Sequence, residues 1–292
     1  MRVLFCTDGS KISYHAIENF SEWAKDCTID ILCAVDWSYM PDSVAIEDSN
    51  FVAFCKNSAD SILKYSVEFL KELGLNIGEA IKMCGSTVDC ILETLNSTQY
   101  DYVVLGSHGK KGIQKWLGSV SQEVASVADI PTYVSKEKNF RQRILFAVDF
   151  SDISPDVVKD TLEKFNLIDK EIYLATVIET PDYLFLEGNI DSGWILDIER
   201  KQANAANLLL NKFDSIFDSY NLKINKKVVL QGNPTAELIK YISKDNIDLV
   251  VCGIRSRKNL PKFLLNSVSK RVLESTKADV LIVRKDNLTA SE

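Results

Sequence analysis

Apolar residues recur along this chain in two rhythms that take turns. Short continuous runs such as Arg2-Val-Leu-Phe-Cys-Thr7, Thr28-Ile-Asp-Ile-Leu-Cys-Ala-Val35 and Tyr102-Val-Val-Leu105 read as buried strands. Between them, apolar positions fall three and four apart. Tyr14, Ile17 and Phe20 mark a helix that Ser10 can cap and that runs to about Lys25. Ala59, Ile62, Leu63, Val67, Leu70 and Leu73 mark a second helix over 51–73, closed by Gly74. Val88, Ile91, Leu92 and Leu95 mark a third, and Ser119 to Ala128 reads as a fourth. A weakly alternating strand is predicted over 76–83, and a last one over 131–134. Five strands alternating with four helices predict an open parallel α/β sheet with helices on both faces.

The pattern then begins again. Arg143-Ile-Leu-Phe-Ala-Val-Asp-Phe-Ser151 repeats Arg2-Val-Leu-Phe-Cys-Thr-Asp-Gly-Ser10. Asp248-Leu-Val-Val-Cys-Gly253 repeats Asp101-Tyr-Val-Val-Leu-Gly106, and Gly232 stands where Gly85 stands. A spacing of about 147 residues means two copies of one domain rather than a solenoid. The expected boundaries are 1–137 and 141–286, with charged residues from Lys136 to Gln142 as the linker. In the second copy a long helix from about Gly193 to Tyr220 is predicted to cover the core through Ile195, Ile198, Leu209, Phe213 and Ile216.

Charge narrows the field of partners. A formal net charge of −7 argues against broad nucleic-acid binding, which needs a basic face. No apolar run approaches the roughly 18 residues of a membrane span, and the amino terminus reaches a charge too early for a signal peptide. Seven cysteines without a CxxC pair read as reduced, mostly buried thiols of a cytoplasmic protein, not as a metal site.

Candidate chemistry concentrates between Gly106 and Ser121, GSHGKKGIQKWLGSVS. Four glycines (Gly106, Gly109, Gly112, Gly118) sit between a strand and a helix, where they free the backbone to approach a ligand. A helix opening after Gly118-Ser119 offers unpaired amides and the positive end of its dipole to an anion such as a phosphate. Lys110, Lys111 and Lys115 add positive charge, though exposed lysines contribute little. The plainer reading of such a loop is a turn. Asp8 equally suits a cap for the first helix, and His108 has no acid or serine spaced with it as a triad.

On these residues the chain resembles the universal stress protein family in its tandem form, over Arg2 to about Arg284. The resemblance implies two open five-stranded parallel sheets of the Rossmann-like, adenine nucleotide alpha hydrolase-like class. The family's nucleotide motif is Gly, two residues, Gly, nine residues, then Gly with Ser or Thr. Gly106, Gly109, Gly118 and Ser119 match the residue types, but only eight residues separate Gly109 from Gly118. The resemblance implies that Cys6, Thr7 and Asp8 contact adenosine, that Val35 lines the adenine pocket, and that amides around Gly106, Ser107, Gly109, Gly118, Ser119 and Val120 surround the phosphates. The Ser119 and Ser121 hydroxyls would donate to phosphate oxygens. It further implies that the two halves pack as an intrachain pseudo-dimer, and a homodimer of chains is compatible with that.

In the second copy Gly253 and Ser267 are kept, while Ser256 and Asn266 replace the second and third glycines. Added Cβ atoms crowd an approaching phosphate, so the second site is expected to be degenerate, although Arg255, Arg257, Lys258 and Lys262 remain to attract an anion. Two function classes stay open. One is an ATP- or AMP-binding regulatory protein, with or without Mg²⁺, that signals to a protein partner. Nothing positions a water or supplies a strong base, and GxxxxGK[ST] is absent, so efficient turnover is not expected. The other is a nucleotide-independent interaction module that has lost its site. An alpha-hydrolase enzyme fits poorly, because its phosphate loop would follow the first strand, where only Asp8-Gly9-Ser10 occurs.

Overall fold

In a computed structural model, which describes residues 1–36, 49–108, 117–136, 142–179, 192–256 and 267–286, the apolar run after Met1 is strand β1 (Arg2–Cys6). There follow α1 (Lys11–Trp23), β2 (Thr28–Val35), α2 (Ser49–Glu72), β3 (Asn76–Cys84), α3 (Thr87–Ser97), β4 (Tyr102–Gly106), α4 (Ser119–Val127) and β5 (Thr132–Ser135). All neighbours are parallel, in the order β3-β2-β1-β4-β5. The described residues fall into two compact units, one up to Lys136 and the other from Gln142 onward.

Alternation along the strands assigns the two faces of the first sheet. Leu4, Cys6, Val103 and Leu105 join Val88, Ile91 and Val124 of α3 and α4 in one buried cluster. Phe5, Tyr102 and Tyr133 point the other way, toward α1. Phe20 of α1 lies 5.6 Å from the Tyr102 ring and 5.3 Å, edge-on, from that of Tyr133. Phe20 and Trp23 are fully buried, and each such side chain contributes roughly 2–3 kcal/mol of apolar burial.

The weak alternation of β3 has a local cause. Ile29 pairs with Ile77 but Ile31 pairs with Ala80, so β3 carries one extra residue there. Fully buried Asp30 fills the bulge. It accepts from the Glu79 amide at 2.8 Å, the Tyr100 hydroxyl at 2.8 Å and Arg2 Nε at 2.9 Å. A Cβ on Gly78 would lie 2.0 Å from Asp30 Oδ1, so only glycine fits.

The second unit repeats the plan with β6 (Arg143–Ala147), α5 (Ser154–Lys164), β7 (Glu171–Ile178), α6 (Ser192–Lys212), α7 (Asp214–Ser219), β8 (Lys226–Gln231), α8 (Pro234–Lys244), β9 (Leu249–Ser256), α9 (Ser267–Ser275) and β10 (Asp279–Asp286). Its order is β8-β7-β6-β9-β10, all parallel. The single helix expected over about 193–220 is two helices. The break at Phe213 is a tight turn in which the Ile216 amide reaches the Phe213 carbonyl at 3.0 Å. That turn buries Phe213 and Phe217 together, with Phe217 edge-on to Phe146 at 5.5 Å. Ala206 and Leu210 complete the buried stripe, while Leu209 and Ile216 are only half-buried.

Candidate functional site

In the first sheet the chain winds outward from β1 to β3, then crosses back to β4 and β5 on the other side. The order therefore reverses between β1 and β4, and the carboxyl ends of strands at such a switch point are where open parallel sheets hold ligands. The described candidate residues of the first unit lie at the ends of β1, β2 and β4, in the turns that follow them, and in the first turn of α4.

From β1, Cys6 is buried, and burial pushes its thiol well above the ordinary range. The Thr7 amide donates to Leu32 O at 2.9 Å, and its hydroxyl lies 2.7 Å from Ser13 Oγ while accepting from the Gly9 amide at 3.0 Å. Asp8 Oδ1 accepts from the Ser10 amide at 3.0 Å across a turn in which Gly9 takes φ +72°. The cap of α1 is Ser10, whose hydroxyl accepts from the Ser13 amide; Asp8 shapes the turn before it. Half-buried Val35 accepts from the Gly85 amide at 3.1 Å, and Gly85 has φ +144°. Sequence reading passed over Ser13, whose only signal was a small polar residue three places after the cap.

From β4, the Ser107 amide donates to Ser135 O at 2.8 Å. Its carbonyl accepts twice, from the Gly118 amide at 2.6 Å and from Ser121 Oγ at 3.0 Å. Ser107 Oγ lies 3.1 Å from His108 Nδ1. These bonds tie the two ends of the glycine loop together where α4 begins. They also engage two groups expected to face phosphate, since the Gly118 amide and the Ser121 hydroxyl both turn inward.

Gly106 and Gly118 pack closely against the protein itself. A Cβ on Gly106 would lie 3.1 Å from the Ile12 carbonyl carbon and the Ser13 amide, and one on Gly118 would lie 3.1 Å from Ser107 O. Neither has positive φ. Helix geometry still leaves the Ser119, Val120 and Ser121 amides without intrahelical acceptors, and Gly118 offers no side-chain cap. Ser119 is exposed at this turn. Gly109, Gly112, Trp116 and the lysines at 110, 111 and 115 lie outside the described residues, as does Trp37.

The corresponding edge of the second unit is built differently. Four residues, Thr7 to Ser10, join β1 to α1, but six, Val148 to Ile153, join β6 to α5. Phe150 replaces Gly9 and is 63% exposed. Asp149 Oδ1 accepts from the Ser151 amide at 3.0 Å, from Ser154 Oγ at 2.7 Å and from Ser151 Oγ. Arg255, at the end of β9, pairs with Asp152 of the same loop. A Cβ on Gly253 would press on Val157 Cγ2 at 2.9 Å. Asn266, Arg257, Lys258 and Lys262 lie outside the described residues.

Two copies of one α/β plan, each with a strand-to-helix loop at the switch point, agree with the family model for the universal stress protein family, which matches residues 1–136 and again 141–284. The chain belongs to the universal stress protein family. It has the tandem form, since each half matches separately. Universal stress protein MJ0531 of Methanocaldococcus jannaschii is 26% identical over 148 residues, which is 51% of this chain and 85% of that one. Universal stress protein MJ0577 of the same organism is 24% identical over 159 residues, covering 50% of this chain and 96% of that one. The crystal structure of a universal stress protein from Archaeoglobus fulgidus shares the fold at a TM-score of 0.71, with 17% identity, over 97% of this chain and 98% of that one. Among the described residues no helix of this universal stress protein is long and apolar enough to cross a membrane.

Proposed function

We propose that this universal stress protein binds ATP or AMP as a stress-response regulator, with the site in domain 1 (1–137) and a degenerate copy in domain 2 (141–286). One observation carries the reading: the Ser107 carbonyl gathers the Gly118 amide at 2.6 Å and the Ser121 hydroxyl at 3.0 Å, fixing the start of α4 just after β4, the strand at the switch point. That leaves the Ser119 and Val120 amides, and the exposed Ser119 hydroxyl, as the donors for phosphate oxygens. Thr7 and Asp8, just after β1, and Val35, at the end of β2, stand at the same edge of the sheet and would meet the nucleoside. The bound nucleotide supplies negative charge that these donors hold in place. Mg²⁺, where it accompanies the nucleotide, would be held through phosphate and water, for the described residues hold no cluster of three metal-ligating side chains. The sequence lacks the GxxxxGK[ST] arrangement of fast NTPases, so in this reading the chain holds nucleotide with little or no turnover and passes its state to a protein partner.

A nucleotide-independent interaction module is the second reading. It is favoured by the same glycines, which accommodate protein neighbours at 3.1 Å. Mass spectrometry of purified, denatured protein separates the two. About one adenine nucleotide per chain is expected. Its absence, together with no calorimetric heat at millimolar ATP, would establish the module instead. Gly118→Val is expected to abolish binding at the cradle, because even a Cβ there meets Ser107 O at 3.1 Å. An affinity near micromolar, about −8 kcal/mol, suits such a set of donors.

A further inference from the structure

Tyr65 of α2 is 55% exposed, yet its ring sits in an ordered aromatic cluster. Tyr14 of α1 lies 5.1 Å from both Tyr65 and Phe69, and the Tyr65 and Phe69 rings are nearly parallel, at 15°. The Tyr14 hydroxyl is 3.1 Å from Ser66 Oγ, which in turn donates to Ile62 O at 2.8 Å. The ring of Tyr14 is thereby held as a fixed floor. Above it runs a cleft of about 630 Å³ between α1 and α2. This is a size that holds small ligands.

Ser61 lines the α2 side, and the ionisable side chains of α1 are segregated along the cleft's length. Lys11 stands at the end nearest Gly9, His15 at the middle and Glu18 at the far end, all on one stripe of α1. Seven residues of helix separate Lys11 from Glu18, roughly 10 Å along the axis. The cleft therefore offers a cation at one end, exposed aromatic surface in the middle and a carboxylate at the other end. A flat heteroaromatic ring with an anionic group on one side and an N–H donor on the other matches that sequence of partners.

We propose that this cleft is a second ligand site, distinct from the β4–α4 loop, that takes a nucleoside monophosphate. The base stacks on the exposed ring of Tyr65, which Tyr14 supports edge-on at 71°, an exocyclic amine donates to Glu18, and the phosphate pairs with Lys11. Stacking of a base on an aromatic side chain supplies most of the affinity, and the exposed ion pair supplies less.

Calorimetry of the full chain with adenosine monophosphate tests this. In the wild-type chain two sites are expected, and Tyr65→Ala leaves one. In Gly118→Val one site is expected to remain. Tyr65→Ala on that background weakens it by at least about tenfold, and Lys11→Ala by about threefold. Adenosine without phosphate binds the Gly118→Val chain more weakly than the monophosphate, and ribose 5-phosphate does not bind it. No heat from millimolar monophosphate in Gly118→Val, or an affinity unchanged by Tyr65→Ala, overturns the proposal. Should Gly118→Val fail to fold, the drop from two sites to one in Tyr65→Ala decides alone, and an unchanged stoichiometry overturns it. One site that survives Tyr65→Ala but vanishes with Gly118→Val removes this cleft and leaves the loop reading standing; the opposite result does the reverse.

Discussion

Cys252 is buried in β9, and burial pushes its thiol up to about 12, against the pull of a hydrogen bond with Ser269. An unfolded thiol ionises near 8.5. Stability from the protonated thiol is thus complete below about pH 8.5 and falls as pH rises toward 12, by about 2 kcal/mol at pH 10. Thermal melts should show the wild type losing that much more than Cys252→Ala between pH 8 and pH 10. Asp30 stabilises through its hydrogen bonds instead. Asp30→Ala leaves the Tyr100 hydroxyl and the Glu79 amide without their acceptor, which costs about 3 kcal/mol in urea unfolding. The two residues differ in how far they could be read in advance. A cysteine inside an apolar run announces its burial. Asp30 sits inside such a run too, but its partners come from β1, from β3 and from the residue before Asp101, and no local pattern names them.

At the level of elements, apolar spacing placed β2 at its observed limits and the helices within a few residues. It missed what depends on two elements at once. The bulge in β3 showed only as poor alternation, because its cause, the Asp30 carboxylate, belongs to β2. Gly78→Ala is expected to cost about 2 kcal/mol or more by overpacking, since the new Cβ meets Asp30 Oδ1 at 2.0 Å. A fall in the urea midpoint at constant slope would confirm it. The break between α6 and α7 was equally hidden, for Phe213 and Phe217 become neighbours in the core only once the helix tightens. The candidate site was legible as a place, because a glycine-rich strand-to-helix loop at a switch point has a sequence signature. Its internal bonding was not. Which amide turns inward depends on Ser107, just past β4, and Ser135 of β5.

For the whole molecule, duplication was the most legible feature, since repeated strand openings need no structure to be seen. The difference between the copies was legible only in part. Ser256 and Asn266 are visible in the sequence and carry the proposal of a weakened second site, but the longer turn from Val148 to Ile153 and the Arg255–Asp152 pair come from the fold. Asn266→Ala should leave nucleotide affinity unchanged by calorimetry, and a loss equal to that of Gly118→Val would place binding in both halves.

The pocket that Asp30 occupies lies on β3, the outermost strand of its sheet. An outer strand with a straight ladder of free amides and carbonyls is a template on which another chain can be zipped, and stacks of such chains grow into fibrils. The extra residue throws that ladder out of step near the start of the strand, with Glu79 and Lys82 set in the same strand. Keeping concentrated protein dispersed is therefore a second service of the bulge, and Gly78→Ala should speed thioflavin-positive aggregation as well as lower the unfolding midpoint.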